Sequence, residues 1–209
     1  MLRKLFGGLA LGAALLACAP PLDTVSYVDT TQLEGTWYEI AHLPRPTQEG
    51  CANTTATYTS VSNGHFAVVN ACTLPNGQLL SQAATLYVVD ASTNAKLGID
   101  LGGFIGDYWI IDAADDYRYI VVGVPSREYL WILARDKQLS ASDLSTVLEH
   151  AKNQGFDTSN VEYTLQDGQL APESSAGCSA SAIHDAPRGA LFGAIALAAV
   201  ALVRRRKRA

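Results

Sequence analysis

The chain has 209 residues, 48% of them hydrophobic, and a formal net charge of −5, which is enough apolar material for one good-sized domain or two small ones around a real core. That charge is unevenly placed, because residues 1–18 and 178–209 hold 8 of the 15 Lys and Arg but only one of the 20 acids. The body between them keeps 7 basic and 19 acidic residues, about −12 with His neutral; such a surface repels nucleic acid and offers no polybasic patch to a membrane.

In chain order, residues 1–18 read as a signal peptide: Arg3-Lys4, an almost wholly apolar run from Leu5 to Leu16, then Ala17-Cys18, too short for a comfortable membrane span. Leu15-Leu16-Ala17-Cys18 resembles the bacterial lipobox, which implies that Cys18 becomes the lipidated first residue of the mature protein. An ordinary cleaved signal with an incidental cysteine is the alternative. From Pro20 to about Thr31 a polar, Pro-containing leader reads as a tether between anchor and domain.

The first strand runs from Gly35 to Leu43 and stops at Pro44-Arg45-Pro46, since proline cannot donate to a ladder. Strands follow over Asn53–Thr59 and His65–Cys72, joined by a turn at Ser62-Asn63-Gly64, then over Leu79–Val89 and Lys96–Leu101. Gly102 to Gly106 form a loop carrying Phe104 and Ile105 at its surface, and strands six to eight cover Asp107–Ile111, Tyr117–Val122 and Tyr129–Ala134. The one helix starts at Ser140-Ala141-Ser142-Asp143, a variant capping box, carries Leu144, Val147, Leu148 and Ala151 on a narrow stripe, and closes at Gly155. So narrow a stripe suits a helix lying outside a sheet. A last strand at Val161–Leu165 precedes a linker, residues 168–188.

The C-terminal segment, residues 189–209, is an apolar run of 15 residues, Gly189 to Val203, ending in Arg204-Arg205-Arg206-Lys207-Arg208, shorter than the about 20 residues that cross a bilayer. With Gly177-Cys178-Ser179 before it, the tail is similar to the myxobacterial C-terminal sorting signal; a plain anchor helix is the alternative. Setting Cys18 and Cys178 aside leaves Cys51 and Cys72, nearly opposite each other across the Asn63-Gly64 hairpin, and a cross-strand disulfide is expected there, consistent with export.

Eight sequential antiparallel strands with short turns predict an all-β fold, an eight-stranded up-and-down barrel, because closure removes exposed edges. Such a barrel is just wide enough for one small ligand. A β-sandwich shares the spacing.

Gly35-Thr36-Trp37-Tyr38-Glu39-Ile40 on the first strand, Asp116-Tyr117-Arg118-Tyr119 opening the seventh, Tyr129-Leu130-Trp131-Ile132-Leu133-Ala134-Arg135 on the eighth, and one helix after it together resemble the lipocalins, in particular the bacterial outer-membrane and apolipoprotein D-like members. The likeness spans residues 29–167 as one barrel domain. The second motif departs from the pattern at Ala114, where many members carry Thr. The resemblance implies that Gly35, Trp37 and Arg135 close one end of the barrel, the guanidinium stacked on the indole. It also aligns Tyr58, Asn70 and Tyr108 with cavity-lining positions.

Strand alternation places Tyr129, Trp131 and Leu133 inward with Arg135, and Glu39 and Ala41 inward with Trp37. The expected ligand-binding set is therefore Tyr58, Asn70, Tyr108, Tyr129, Trp131 and Leu133, with Phe66, Val68 and Tyr87 as further candidates and Phe104 and Ile105 at the mouth. For each of these, a barrel-filling core role is the alternative. An inward Glu39 carboxylate is expected to accept a buried hydrogen bond rather than act as a base, and no motif places a catalytic partner beside it. His42, His65, His150 and His184 lack metal-ligand spacing, and no cofactor motif is present. The resemblance thus implies a non-enzymatic carrier of a small hydrophobic ligand, such as a fatty acid or lysophospholipid, lipid-anchored at the cell envelope. A lipocalin-fold isomerase or hydrolase and a surface interaction module with a filled barrel are the alternatives.

Overall fold

The computed structural model describes residues 20–62 and 64–167. The expected signal peptide, Cys18, Asn63, the linker with Cys178 and the C-terminal tail lie outside the described residues.

Nine strands are laid down in order: β1 Gly35–His42, β2 Ala52–Ser62, β3 His65–Thr73, β4 Leu79–Val88, β5 Lys96–Asp100, β6 Ile105–Ala113, β7 Tyr119–Gly123, β8 Leu130–Ala134 and β9 Glu162–Tyr163, with α1 at Ala141–Asn153 before the last. β2 through β8 pair sequentially, and β1 closes the ring by bonding β8 on one side and β2 on the other. The first eight strands form the expected antiparallel barrel, and short β9 adds to the part of β1 that β2 leaves unpaired.

Ser140 caps α1 by accepting from the Asp143 amide at 3.0 Å, while the Asp143 carboxylate turns outward to Arg118. One stripe of α1, through Val147 and Ala151, packs on the outer wall of the barrel against Ile111, Val121 and Ile132.

A second core fills the barrel itself. Phe66, Val68, Leu86, Leu97, Ile110 and Ile120 are each 3% exposed or less and occupy its lower half. Beneath them Trp37 is fully buried, with its indole N–H donating to Leu33 O at 2.9 Å. The Arg135 guanidinium lies 3.7 Å from the ring centre and donates to Thr36 O at 3.1 Å and to Gln32 O. Gly35 has φ +94°, a backbone conformation that favours glycine, and brings the strand past that guanidinium.

Three expectations are corrected. Ala41 faces outward: β1 carries a bulge between Glu39 and Ala41 against β8, so Ile40 and Ala41 both enter the helix-side core while Glu39 and His42 stay opposite Leu133 and Trp131. Tyr87 also faces outward, since Leu86 and Ala84 point in; its ring covers Gly98, where a Cβ would come within 2.5 Å of it, and stacks on His65. The leader is no free tether over its later residues. Leu22 and Val28 are buried, and Val25 and Val28 amides bond Ile110 O and Thr93 O along the barrel.

Candidate functional site

Above the filled floor the barrel opens into a cavity of about 780 Å³, within the range of ~300–1,000 Å³ usual for small-molecule sites. Its mouth is formed by the β1–β2, β5–β6 and β7–β8 connections, represented by Pro46, Phe104 and Pro125. Phe104 lines the mouth and is largely exposed; Ile105, also exposed, is not part of the lining. Ile99, Leu101, Leu133, Ala56 and Leu80 make the wall largely apolar.

Of the residues expected to face a ligand, Asn70, Tyr108, Tyr129, Trp131 and Leu133 stand in the cavity wall. The β8 trio descends from Tyr129 at the mouth to Leu133, which is 3% exposed. Tyr129, Trp131 and Tyr108 stack in sequence, with ring centres 5.9 and 6.2 Å apart. Tyr58 does not reach the lining; it is buried just below, its hydroxyl bonded to that of Tyr108. Burial pushes the Tyr58 hydroxyl up to about 12 and the Tyr108 hydroxyl well above its ordinary value. Both are therefore neutral hydrogen-bonding groups at the base of the cavity. Phe66 and Val68 point inward but belong to the filled floor.

A polar cluster sits on the β1 side, of which sequence reasoning placed Glu39 but missed Arg45, Gln48 and Thr164. Glu39 faces inward with Trp37, as alternation expects, and accepts buried hydrogen bonds: Gln48 Nε2 from the mouth loop donates to its two carboxylate oxygens at 2.5 and 2.7 Å and Thr164 Oγ1 donates at 2.5 Å. His42 Nδ1 donates to Leu43 O at 2.8 Å, leaving Nε2 3.7 Å from the Glu39 carboxylate. The other end of the Gln48 amide accepts from Arg45 Nε at 3.2 Å and from Arg45 Nη2. The Arg45 guanidinium lies 4.7 Å from the centre of the Trp131 ring. Burial pulls Arg45 below its ordinary value, while the charge of Glu39 pulls in the opposite direction. One signal could have exposed this residue: Arg45 is the only Lys or Arg between positions 5 and 95.

The mouth loop is pinned at its far end as well. Cys51 and Cys72 form the expected disulfide, with Cα atoms 5.5 Å apart, tying the loop to β3 at the cavity wall. No cluster of His, Cys, Asp and Glu suited to a metal ion occurs among the described residues.

Residues 28–166 match the family model described as a lipocalin-like domain. The chain is 32% identical to the outer membrane lipoprotein Blc of Escherichia coli K12 over 161 residues, covering 74% of this chain and 91% of that one. It is 33% identical to temperature-induced lipocalin-1 of Arabidopsis thaliana, covering 75% and 91%, and 25% identical to mouse apolipoprotein D, covering 71% and 81%. Among solved structures, insecticyanin from the tobacco hornworm Manduca sexta superposes with a TM-score of 0.56 at 21% identity, over 70% of this chain and 85% of that one.

Proposed function

The chain belongs to the family of lipocalin-like domain proteins, and on that premise we propose that it carries or stores a small hydrophobic ligand, a fatty acid or lysophospholipid, at the cell envelope. The observation that carries the reading is the cavity: about 780 Å³, open at one end, apolar and aromatic in its wall, above a floor sealed by Trp37 and Arg135. An acyl chain placed there leaves water at about 25 cal/mol per Å² of apolar surface, while its polar end stays near the mouth. A cavity of that size also argues against a filled barrel serving only as an interaction module.

The non-enzymatic reading is supported by the state of the groups an isomerase or hydrolase would use. Both Glu39 oxygens are engaged by Gln48, with Thr164 adding a third bond, and Cys51 and Cys72 are bridged. The envelope setting is supported by the outer-membrane lipoprotein designation of the bacterial relatives and by the path of the leader. Pro20 O accepts from Arg127 Nη2 at 2.7 Å, and Arg127 belongs to the loop whose neighbours Ser126 and Glu128 line the cavity mouth. A lipid on Cys18, two residues before Pro20, would hold the mouth close to the bilayer from which an acyl ligand comes.

Organic extraction of protein purified from its native membrane tests the carrier reading. Bound fatty acid or lysophospholipid is expected, and an empty extract together with failure to bind a fluorescent fatty acid would refute it. For the anchor, Cys18→Ser is expected to abolish radioactive palmitate incorporation and membrane retention; unchanged incorporation would remove the lipobox assignment.

A further inference from the structure

We propose that Arg45 is the anion-recognition group of the cavity, taking the carboxylate or phosphate of an amphipathic ligand whose chain lies in the calyx. This rests on the carrier reading above and adds to it the charge class of the ligand and the residue that selects it. Arg45 is the only Lys or Arg among the described residues lining the cavity.

Its guanidinium is positioned but has no direct ion-pair partner among the described residues. Gln48 Oε1 takes Nε and Nη2, which fixes the guanidinium plane, and the Trp131 face lies against it. Nη1 has no hydrogen-bond partner among the described residues, and it is not an enclosed orphan atom. No carboxylate lies within 4.0 Å of Arg45 among the described residues. The one carboxylate beside it, Glu39, already accepts bonds from Gln48 and Thr164. Gln48 therefore separates the two charges: its carbonyl end serves the cation and its amide end serves the anion. A half-buried cation with an unused donor facing a ligand cavity is an anion site.

The remaining charges of the lining sharpen the assignment. Asp107 and Glu128 also line the cavity, and neither carboxylate lies within 4.0 Å of Arg45. A headgroup anion placed against either would meet like charge with no lining cation to offset it, whereas on the Arg45 side the Glu39 carboxylate is already engaged by Gln48 and Thr164 and the guanidinium has a donor to offer. With the head held there, the chain has the wall from Trp131 down to Leu133 to pack on.

The test compares hexadecanoate, monoacyl glycerophosphate and neutral hexadecanol, at a pH where the carboxylate is ionised, on the wild-type protein and on its Arg45→Met and Arg45→Lys variants. Met keeps an apolar stem over Trp131; Lys keeps the charge but not the fork. Wild-type protein is expected to bind one or both anions about 10- to 100-fold more tightly than hexadecanol, the range of a hydrogen bond to a charged group. Which anion gains more separates a fatty acid from a phospholipid source. Arg45→Met should abolish that preference and Arg45→Lys should retain part of it, each read as the ratio of anion to hexadecanol affinity within the same protein. An anion preference equal in wild type and Arg45→Met overturns the assignment while leaving the carrier reading intact. Failure of all three compounds to bind wild-type protein overturns both.

Discussion

Leu133 is the deepest of the three β8 side chains in the cavity wall, 3% exposed and packed into the interior core on its other side. If an acyl chain runs down the cavity, each added methylene should contribute about 0.8 kcal/mol, or roughly fourfold in affinity, until the chain meets this layer. Affinity should then level off. Leu133→Ala removes three side-chain carbons from the end of that path and should extend the rising part of the series by about three methylenes. Stability should fall by only about 2–3 kcal/mol, the low end for Leu→Ala, because one face of the side chain already borders open space. Displacement of a fluorescent fatty acid by a homologous series of n-alkanoates, read alongside urea unfolding, measures both effects. A plateau at the same chain length in both proteins would show that the ligand stops short of Leu133, and a flat series would show that no chain is buried at all.

Arg135→Ala removes the stack on Trp37 and two carbonyl bonds, and should cost about 2–3 kcal/mol in urea unfolding; Arg135→Lys should recover less than half of that, and an unmoved midpoint for Arg135→Ala would refute the floor's role. Thr54 Oγ1 is enclosed with no hydrogen-bond partner among the described residues, so the near-isosteric Thr54→Val should raise stability by about 1 kcal/mol, a gain that vanishes if water satisfies the hydroxyl. Ligand-dependent tryptophan fluorescence should disappear in Trp131→Phe and persist in Trp109→Phe, because Trp131 lines the cavity and Trp109 packs outside with Lys96 over it. The Tyr58 hydroxyl at about 12 stands above its ordinary value of about 10, so between those pH values the unfolded chain gives up a proton that the fold retains. Stability should therefore be undiminished below about pH 10 and fall by roughly 2–3 kcal/mol by about pH 12, with Tyr108 acting in the same direction; a single phenolate titration near pH 10 in the folded protein would refute the buried pair.

The parts of the barrel that could be read in advance are those where pairing is unbroken. β8 runs without interruption against β7, so counting by twos from Arg135 correctly put Leu133, Trp131 and Tyr129 on one face. The same count from Trp37 held on β1 as far as Glu39 and failed at Ala41, because a one-residue bulge reverses every side chain beyond it and Glu39-Ile40-Ala41-His42 carries no local mark of it. Tyr87 was ambiguous because the first half of β4, Leu79 to Ala83, is exposed on both faces, leaving little alternation to count from. The leader hid for a different reason. Leu22 and Val28 are buried and Val25 partly so, at a spacing of three and without forming a helix or strand, so no periodic template describes them. Arg45 was obscured by its flanking prolines, which mark the end of a strand but say nothing of where the intervening side chain turns.

The inner face of β1 explains how an exposed loop comes to hold a fixed cation, and the bulge adds His42 to that face. Without the bulge, the residue opposite Trp131 would be Ala41 and not His42, and the polar side of the cavity would lose one member. With it, Glu39 and His42 share the inner face, and the buried carboxylate finds its donors on Gln48 from the mouth loop and Thr164 from the segment after β9. A charge buried to this degree is tolerated only when its lone pairs are satisfied, so the same bonds that make Glu39 acceptable inside the barrel clamp Gln48, and Gln48 in turn orients Arg45. The carboxylate that most resembles a catalytic group in the sequence is, on this geometry, the internal anchor of the mouth loop. Removing its charge as Glu39→Gln would reach the ligand in two ways, through the freedom given to Gln48 and Arg45 and through Glu39's own place in the cavity wall.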